Sequence, residues 1–236
     1  MNRYQAEASR PLPAESASAN DIANDGLWVT YRWMSVGLGI TGLVAWLVSQ
    51  SPEALSVVVG NRVVFYVLLF AQLGLVFAFS SVAARATTAV AATMFFVYAA
   101  ITGLTFSVIF LLYTSSSIAS TFLVTAGTFA GISVFGAVTK RDLSGIGRFA
   151  LFALIGLIIA SVVNIFLHSA ALMWLTTFAG ILIFAGLTAY DTQKLKAMYA
   201  AGAGGNLALR GALILYLDFI NMFLFLLRLF GQRNRS

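Results

Sequence analysis

Seven apolar runs follow one another along the chain, at residues 31–48, 63–82, 88–112, 118–138, 149–167, 170–190 and 207–227. Each is close to the roughly 20 residues that a helix needs to cross the hydrocarbon core of a bilayer. Polar or charged breaks separate them, among them 50–61 with Pro52, 140–148 with Lys140, Arg141 and Arg148, and a short link at His168. The pattern predicts an all-α fold, a polytopic membrane protein built as a seven-transmembrane-helix bundle. Residues 1–26, with Arg10, Pro11, Pro13, Glu15, Ser16 and Ser18, read as a disordered cytosolic tail without a short cleavable signal. Residues 27–231 are the membrane domain and 232–236 a short basic tail.

Composition agrees with this class. The chain is 60% hydrophobic and 9% charged, with mean hydropathy +0.92, which no soluble domain with a wet surface sustains. The absence of cysteine removes disulfides, thiolate metal sites and a Cys nucleophile. In a soluble chain the net charge of +6 would suggest nucleic acid; here it reports topology instead, and no nucleic-acid partner is expected. With the amino terminus inside, cytosolic segments carry Arg3, Arg10, Arg32, Arg85, Lys140, Arg141, Arg148, Lys194, Lys196 and Arg210, whereas Arg62 alone lies in an external loop. Seven crossings then leave Arg228, Arg233 and Arg235 outside. Either this late segment departs from the positive-inside rule or the last run re-enters without crossing; its length favours crossing.

Candidate chemistry centres on Asp218, the only charge between Gly211 and Leu227. An ionised group there costs several kcal/mol, roughly 3 on insertion scales, so a retained one marks a functional site by default. Asp191 ends the preceding run, and the short 202–206 link makes the two helices antiparallel neighbours. Asp218 lies 11 residues into its run, roughly 16 Å from the cytosolic edge. If the sixth helix continues to Tyr199, with Lys194 and Lys196 snorkelling, Asp191 lies roughly 12 Å deep. The carboxyls then share a layer, within about 2.5 to 3.0 Å in a closed state. Repulsion prevents both from ionising, so one proton is shared and the pair senses pH. Asn221 follows Asp218 by one helical turn and is placed to ligate or orient it. Two carboxylates, an amide and water form a loose calcium site suited to passage rather than storage. No other cofactor is expected.

Other polar residues have plainer readings. Arg85 is either a positive-inside residue or a closing partner for one aspartate. Gln72 bonds across helices, His168 is solvated, and Lys140-Arg141-Asp142 anchors the cytosolic face. Gly127 and Gly131, with Ala126 and Ala130, form a small-residue face of the kind that lets helices approach closely. Gly103-Leu104-Thr105 echoes Gly186-Leu187-Thr188, too short a match to define a repeat. No enzyme activity is expected: no span holds a Schiff-base lysine, and Asp218 follows Leu215-Tyr216-Leu217 rather than the Gly-x-Gly-Asp of intramembrane aspartyl proteases.

Ala189-Tyr190-Asp191-Thr192-Gln193-Lys194-Leu195, Leu215-Tyr216-Leu217-Asp218-Phe219-Ile220-Asn221 and Leu226-Leu227-Arg228-Leu229-Phe230-Gly231 resemble the Bax inhibitor-1 family, also called the transmembrane Bax inhibitor motif family. Lys140-Arg141-Asp142-Leu143-Ser144 is similar to its bacterial members. The resemblance implies a bundle around a central last helix, in a bacterial inner membrane, with a pH-sensitive calcium leak through a di-aspartyl sensor at Asp191 and Asp218. It implies, less directly, a latch arginine at Arg85. The chain departs from some members at Gln72, where they carry an acid, which suggests weaker cation affinity or conduction. It also implies a competing role: stress survival through a membrane-bound ATP-dependent protease, with no ion flux.

Overall fold

The computed structural model describes residues 18–234, and among these the chain is helical almost throughout. Its elements are α1 (Ala19–Ser49), α2 (Pro52–Gly60), α3 (Arg62–Val82), α4 (Thr88–Phe106), α5 (Ile109–Leu112), α6 (Ser115–Val138), α7 (Ser144–Leu167), α8 (Ala170–Ala200) and α9 (Leu207–Phe230). Seven spans are long and apolar enough to cross a membrane, α4 and α5 together forming the third. The protein is thus an all-helical integral membrane protein, as the spacing of apolar runs predicts.

Two element boundaries differ from the apolar pattern because capping and packing extend helices beyond it. α1 begins inside the segment read as tail, since Ser18 and Asp21 form a reciprocal capping box, with the Asp21 carboxylate accepting from the Ser18 N–H at 3.1 Å. Its first turns then bury Ala23 and Leu27, and the Thr30 hydroxyl meets the Tyr199 hydroxyl at 2.6 Å. The remainder of the expected tail, 1–17, lies outside the described residues. The 50–61 break, in turn, contains α2, which starts with Ser51 as cap and Pro52 in its first turn.

The order of packing is not set by how apolar each helix is, because lipid tails are as apolar as leucine and give no hydrophobic drive between helices. α9, which carries Asp218 and Asn221 within its span, is the interior helix. In its apolar window 56% of residues are buried, against 6% in α3 and 11% in α7. α1, α4, α6 and α8 surround α9; α3 leans chiefly on α4, and α7 packs extensively only on α8. Leu209, Leu215, Tyr216, Met222 and Leu227 of α9 are wholly enclosed. Tyr216 meets the rings of Phe95 and Tyr98 edge-on, each with centroids 5.8 Å apart.

The small-residue face expected at Gly127 and Gly131 is not a helix contact. α6 turns Thr121, Thr125, Phe129, Ser133 and Gly136 inward, which leaves Gly127 and Gly131 on the outer side with no neighbouring chain over them. Thr125 can sit inward because its hydroxyl donates to the Thr121 carbonyl at 2.7 Å, satisfying it within the helix. The close approach occurs instead at Gly136, where a Cβ would collide with the backbone carbonyl of Ala189 on α8.

Candidate functional site: an aspartate pair beside a cavity

The register of α8 against α9 is set at the link between them. Gly202 and Gly205 take left-handed φ values of 70° and 72°, as does Asn206 at 53°, a conformation that glycine adopts without steric cost and asparagine tolerates. The Asn206 amide donates to the carbonyls of Ala83 and Ala86 at 2.9 and 2.7 Å and accepts from the Thr88 hydroxyl at 2.9 Å. One side chain therefore fastens the α8–α9 link to the turn between α3 and α4.

From this anchored end the two acids come to the same level. α8 does continue through Tyr199 to Ala200, and the carboxyls of Asp191 and Asp218 face each other across the α8–α9 interface, each within reach of the other's charge. Asp218 is 5% exposed, while Asp191 is half-buried with Lys194 one turn away. Asp218 Oδ2 is wholly enclosed and accepts nothing from any N–H or hydroxyl among the described residues. A buried carboxyl oxygen left in that condition is costly, roughly 1–3 kcal/mol and more when charged.

The segment after Asp191 is pinned residue by residue, which fixes where its carboxyl points. Thr192 bonds the Tyr31 hydroxyl on α1 at 3.0 Å. The Gln193 carbonyl oxygen accepts from the Leu143 N–H at 2.9 Å, and its amide donates to the Arg141 carbonyl at 2.8 Å. Lys196, instead of reaching up to solvent, donates to the Ala137 carbonyl at 2.9 Å at the end of α6. Lys194 does turn outward, with its ammonium 5.6 Å from the Tyr190 ring centroid. In the loop that Gln193 holds, the hydroxyl and N–H of Ser144 keep the Asp142 carboxyl below its ordinary range.

Arg85 and Asn221 occupy different places from the pair. Arg85 is exposed in the turn after α3, and the groups acting on Asp191 are Lys194 and Asp218, not this arginine. Asn221 donates to the Leu217 carbonyl of its own helix at 2.8 Å, yet borders the same cavity as Asp218. That cavity, about 920 Å³, extends from Asp218 to the end of the bundle where α9 stops, at Arg228 and Arg233. No group of three or more His, Cys, Asp or Glu residues forms a metal cage among the described residues; the cavity lining offers a hard cation the Asp218 carboxylate and the neutral oxygens of Ser161, Asn164, Thr176 and Asn221, while Asp191 stands outside that lining.

Several participants escape the pattern of charges. Gln193 and Lys196 resemble ordinary interfacial residues in sequence, and the sign that separates them is their position after Asp191 on a helix that outlasts its apolar run. Ser133 of α6 is a second buried group with no hydrogen-bond partner among the described residues; a serine between Ile132 and Val134 in an apolar run carries no signal. Gln72 does bond across helices, donating to the Thr105 hydroxyl at 2.7 Å. His168 caps α7 in an exposed left-handed conformation.

Comparison with known proteins converges on one family. The family described as "Inhibitor of apoptosis-promoting Bax1" matches residues 24–235. The inner membrane protein YbhL of Escherichia coli K12 is 50% identical over 210 residues, covering 86% of this chain and 90% of that one. A protein of Deinococcus radiodurans is 47% identical, covering 87% and 89%, and RP147 of Rickettsia prowazekii is 41% identical, covering 93% and 96%. With helical architecture, aspartate helices and family match extending over nearly the same residues, the chain belongs to the Bax inhibitor-1 family.

Proposed function

We propose that this protein is a pH-sensitive cation leak of the bacterial inner membrane, with Asp191 and Asp218 as its proton sensor and weak calcium site. The observation that carries the reading is the meeting of two acids in a buried layer, one with an oxygen that no fixed donor satisfies. Intramembrane acids in pairs mark proton and ion pathways. The inner-membrane assignment follows YbhL, whose name places that protein there.

The mechanism has a closed and an open form. In the closed form one proton is shared, and α8 stays against α9. On the cytosolic side of the pair the way is filled, because Leu209 and Leu195 are buried and the side chains of Leu195 and Thr30 pack over Gly211. Loss of the proton as pH rises leaves two adjacent charges in a medium of low dielectric, where repulsion is strong. Parting of α8 from α9 relieves it and joins the cavity to the cytosolic side, with the two carboxylates now free to bind a passing cation.

Calcium flux from purified protein in liposomes, followed across pH for the wild type and Asp218→Asn, tests the proposal. Flux that rises with pH in the wild type and loses that dependence in the variant supports it. A wild type with no flux overturns it and leaves regulation of a membrane-bound protease as the reading to pursue.

A further inference from the structure

The cavity beside α9 has a second property that a cation path does not require. Its walls are mostly apolar, from Leu154, Leu157, Ile158 and Val162 of α7 to Leu187 and Ile214, and two guanidinium groups, Arg228 and Arg233, stand at one end. Because α7 packs extensively on α8 alone, the space between α7 and α9 faces sideways as well as endways. Ile158, Val162 and Ile165 along that wall are 55%, 50% and 66% exposed. In a bilayer such a side opening borders lipid chains.

Both arginines are held where they are. Arg228 lies in the last turn of α9, with its guanidinium carbon 5.6 Å from the Phe225 ring centroid. Arg233 follows the helix on a strap that pairs with the start of α6: the Thr114 N–H donates to the Gln232 carbonyl and the Asn234 N–H to the Leu112 carbonyl, each at 3.0 Å. The Ser117 hydroxyl accepts from the Gln232 N–H at 2.9 Å. The basic tail expected at 232–236 is thus docked through Asn234, and Arg233 is fixed beside Tyr113.

We propose that this cavity binds an anionic phospholipid from the surrounding leaflet, with its phosphate between Arg228 and Arg233 and one acyl chain between α7 and α9. Basic pockets between membrane helices recognise such head groups, and guanidinium forks match phosphate geometry. The length fits: from Ile214 to Arg228 the helix rises roughly 21 Å, more than the roughly 15 Å of hydrocarbon in one leaflet. The charge fits too, since among the described residues the only acid along the walls is Asp218, at the far end from the arginines. The cavity is the one that the leak reading uses as its outer path, but lipid retention is read without reference to flux, and the occupant is a component of the membrane itself.

The test is native mass spectrometry of the full chain released from micelles doped equally with phosphatidylglycerol and phosphatidylcholine of the same acyl length. The expected result is preferential retention of phosphatidylglycerol, lowered to parity in the double variant Arg228→Gln, Arg233→Gln. Ile158→Trp, which fills the apolar part and leaves the arginines intact, should also abolish retention. Val162→Trp serves the same purpose if the first tryptophan prevents folding. Equal retention of both lipids by the wild type, a preference unmoved by the glutamine changes, or glycerol phosphate competing as well as intact lipid would each overturn the proposal.

Discussion

The hydroxyls of Thr41 and Tyr216 meet at 2.7 Å inside the bundle, tying α1 to the central helix. Thr41 also donates toward the Ala99 carbonyl on α4 at 2.9 Å, and Tyr216 reaches Thr102 on that helix. Thr102 continues to Gln72 on α3 at 3.4 Å. A chain of neutral polar groups therefore connects four helices in a setting where lipid offers no hydrogen bonds.

Removal of one member of that chain should weaken the bundle modestly. Tyr216→Phe keeps the ring contacts and is expected to cost about 1 kcal/mol, the usual worth of such a bond. Thr41→Val should cost a similar amount, and the double variant less than the sum. Unfolding in mixed micelles, analysed as a double-mutant cycle, measures the coupling; strict additivity would mean that the two hydroxyls do not act on each other.

Gly136 offers a contrast within one helix. Gly136→Ala places a methyl against the Ala189 carbonyl, and relief of that collision must move α6 from α8, at a cost of about 1–3 kcal/mol. Ala189 lies two residues before Asp191, so the pH response of the leak should shift as well. Gly127→Ala, on the same helix with open space beside it, should change neither stability nor pH response. Thermal denaturation of both variants together with flux against pH checks the pair.

Asp191→Asn and Asp218→Asn should each flatten the rise of calcium flux with pH, because an amide still hydrogen-bonds but does not titrate. Asp218→Asn should reduce apparent cation affinity more, since its carboxyl is the more deeply buried. Arg85→Ala should leave basal leak unchanged, as Arg85 stands exposed and apart from the pair. A raised leak in that variant would mean that Arg85 reaches an aspartate in another state. An unaltered pH response in both folded aspartate variants would end the sensor reading.

The two ends of the chain should face opposite sides of the membrane, the amino terminus in the cytosol and Arg233 outside. α9 supports this expectation as an unbroken helix of 24 residues that begins at the α3–α4 turn and ends beside α6. Reporter fusions at both ends give the answer, and two cytosolic signals would contradict seven crossings.

The class, the seven spans and the candidacy of Asp218 were legible from the order of residues alone. A hydrocarbon core admits only long apolar segments and makes an internal charge conspicuous, so transfer energies along one dimension suffice. Helix limits at Ser18 and Ala200 were less legible, because capping and contacts between chain-distant turns carry helices past their apolar stretch. What tertiary structure alone decided was which neutral residues face one another: Gly136 rather than Gly127 at the close approach, Gln193 and Lys196 as fasteners, and Arg228 with Arg233 at a shared cavity. Such roles depend on the rotation and register of whole helices. Register here comes from few contacts, Asn206 against the α3–α4 turn and the strap against α6 among them, and neither follows from the hydropathy of its own segment. Asp191 stands between the two cases, for sequence placed it near Asp218 and the continued helix and its pinned neighbours brought the carboxyls together.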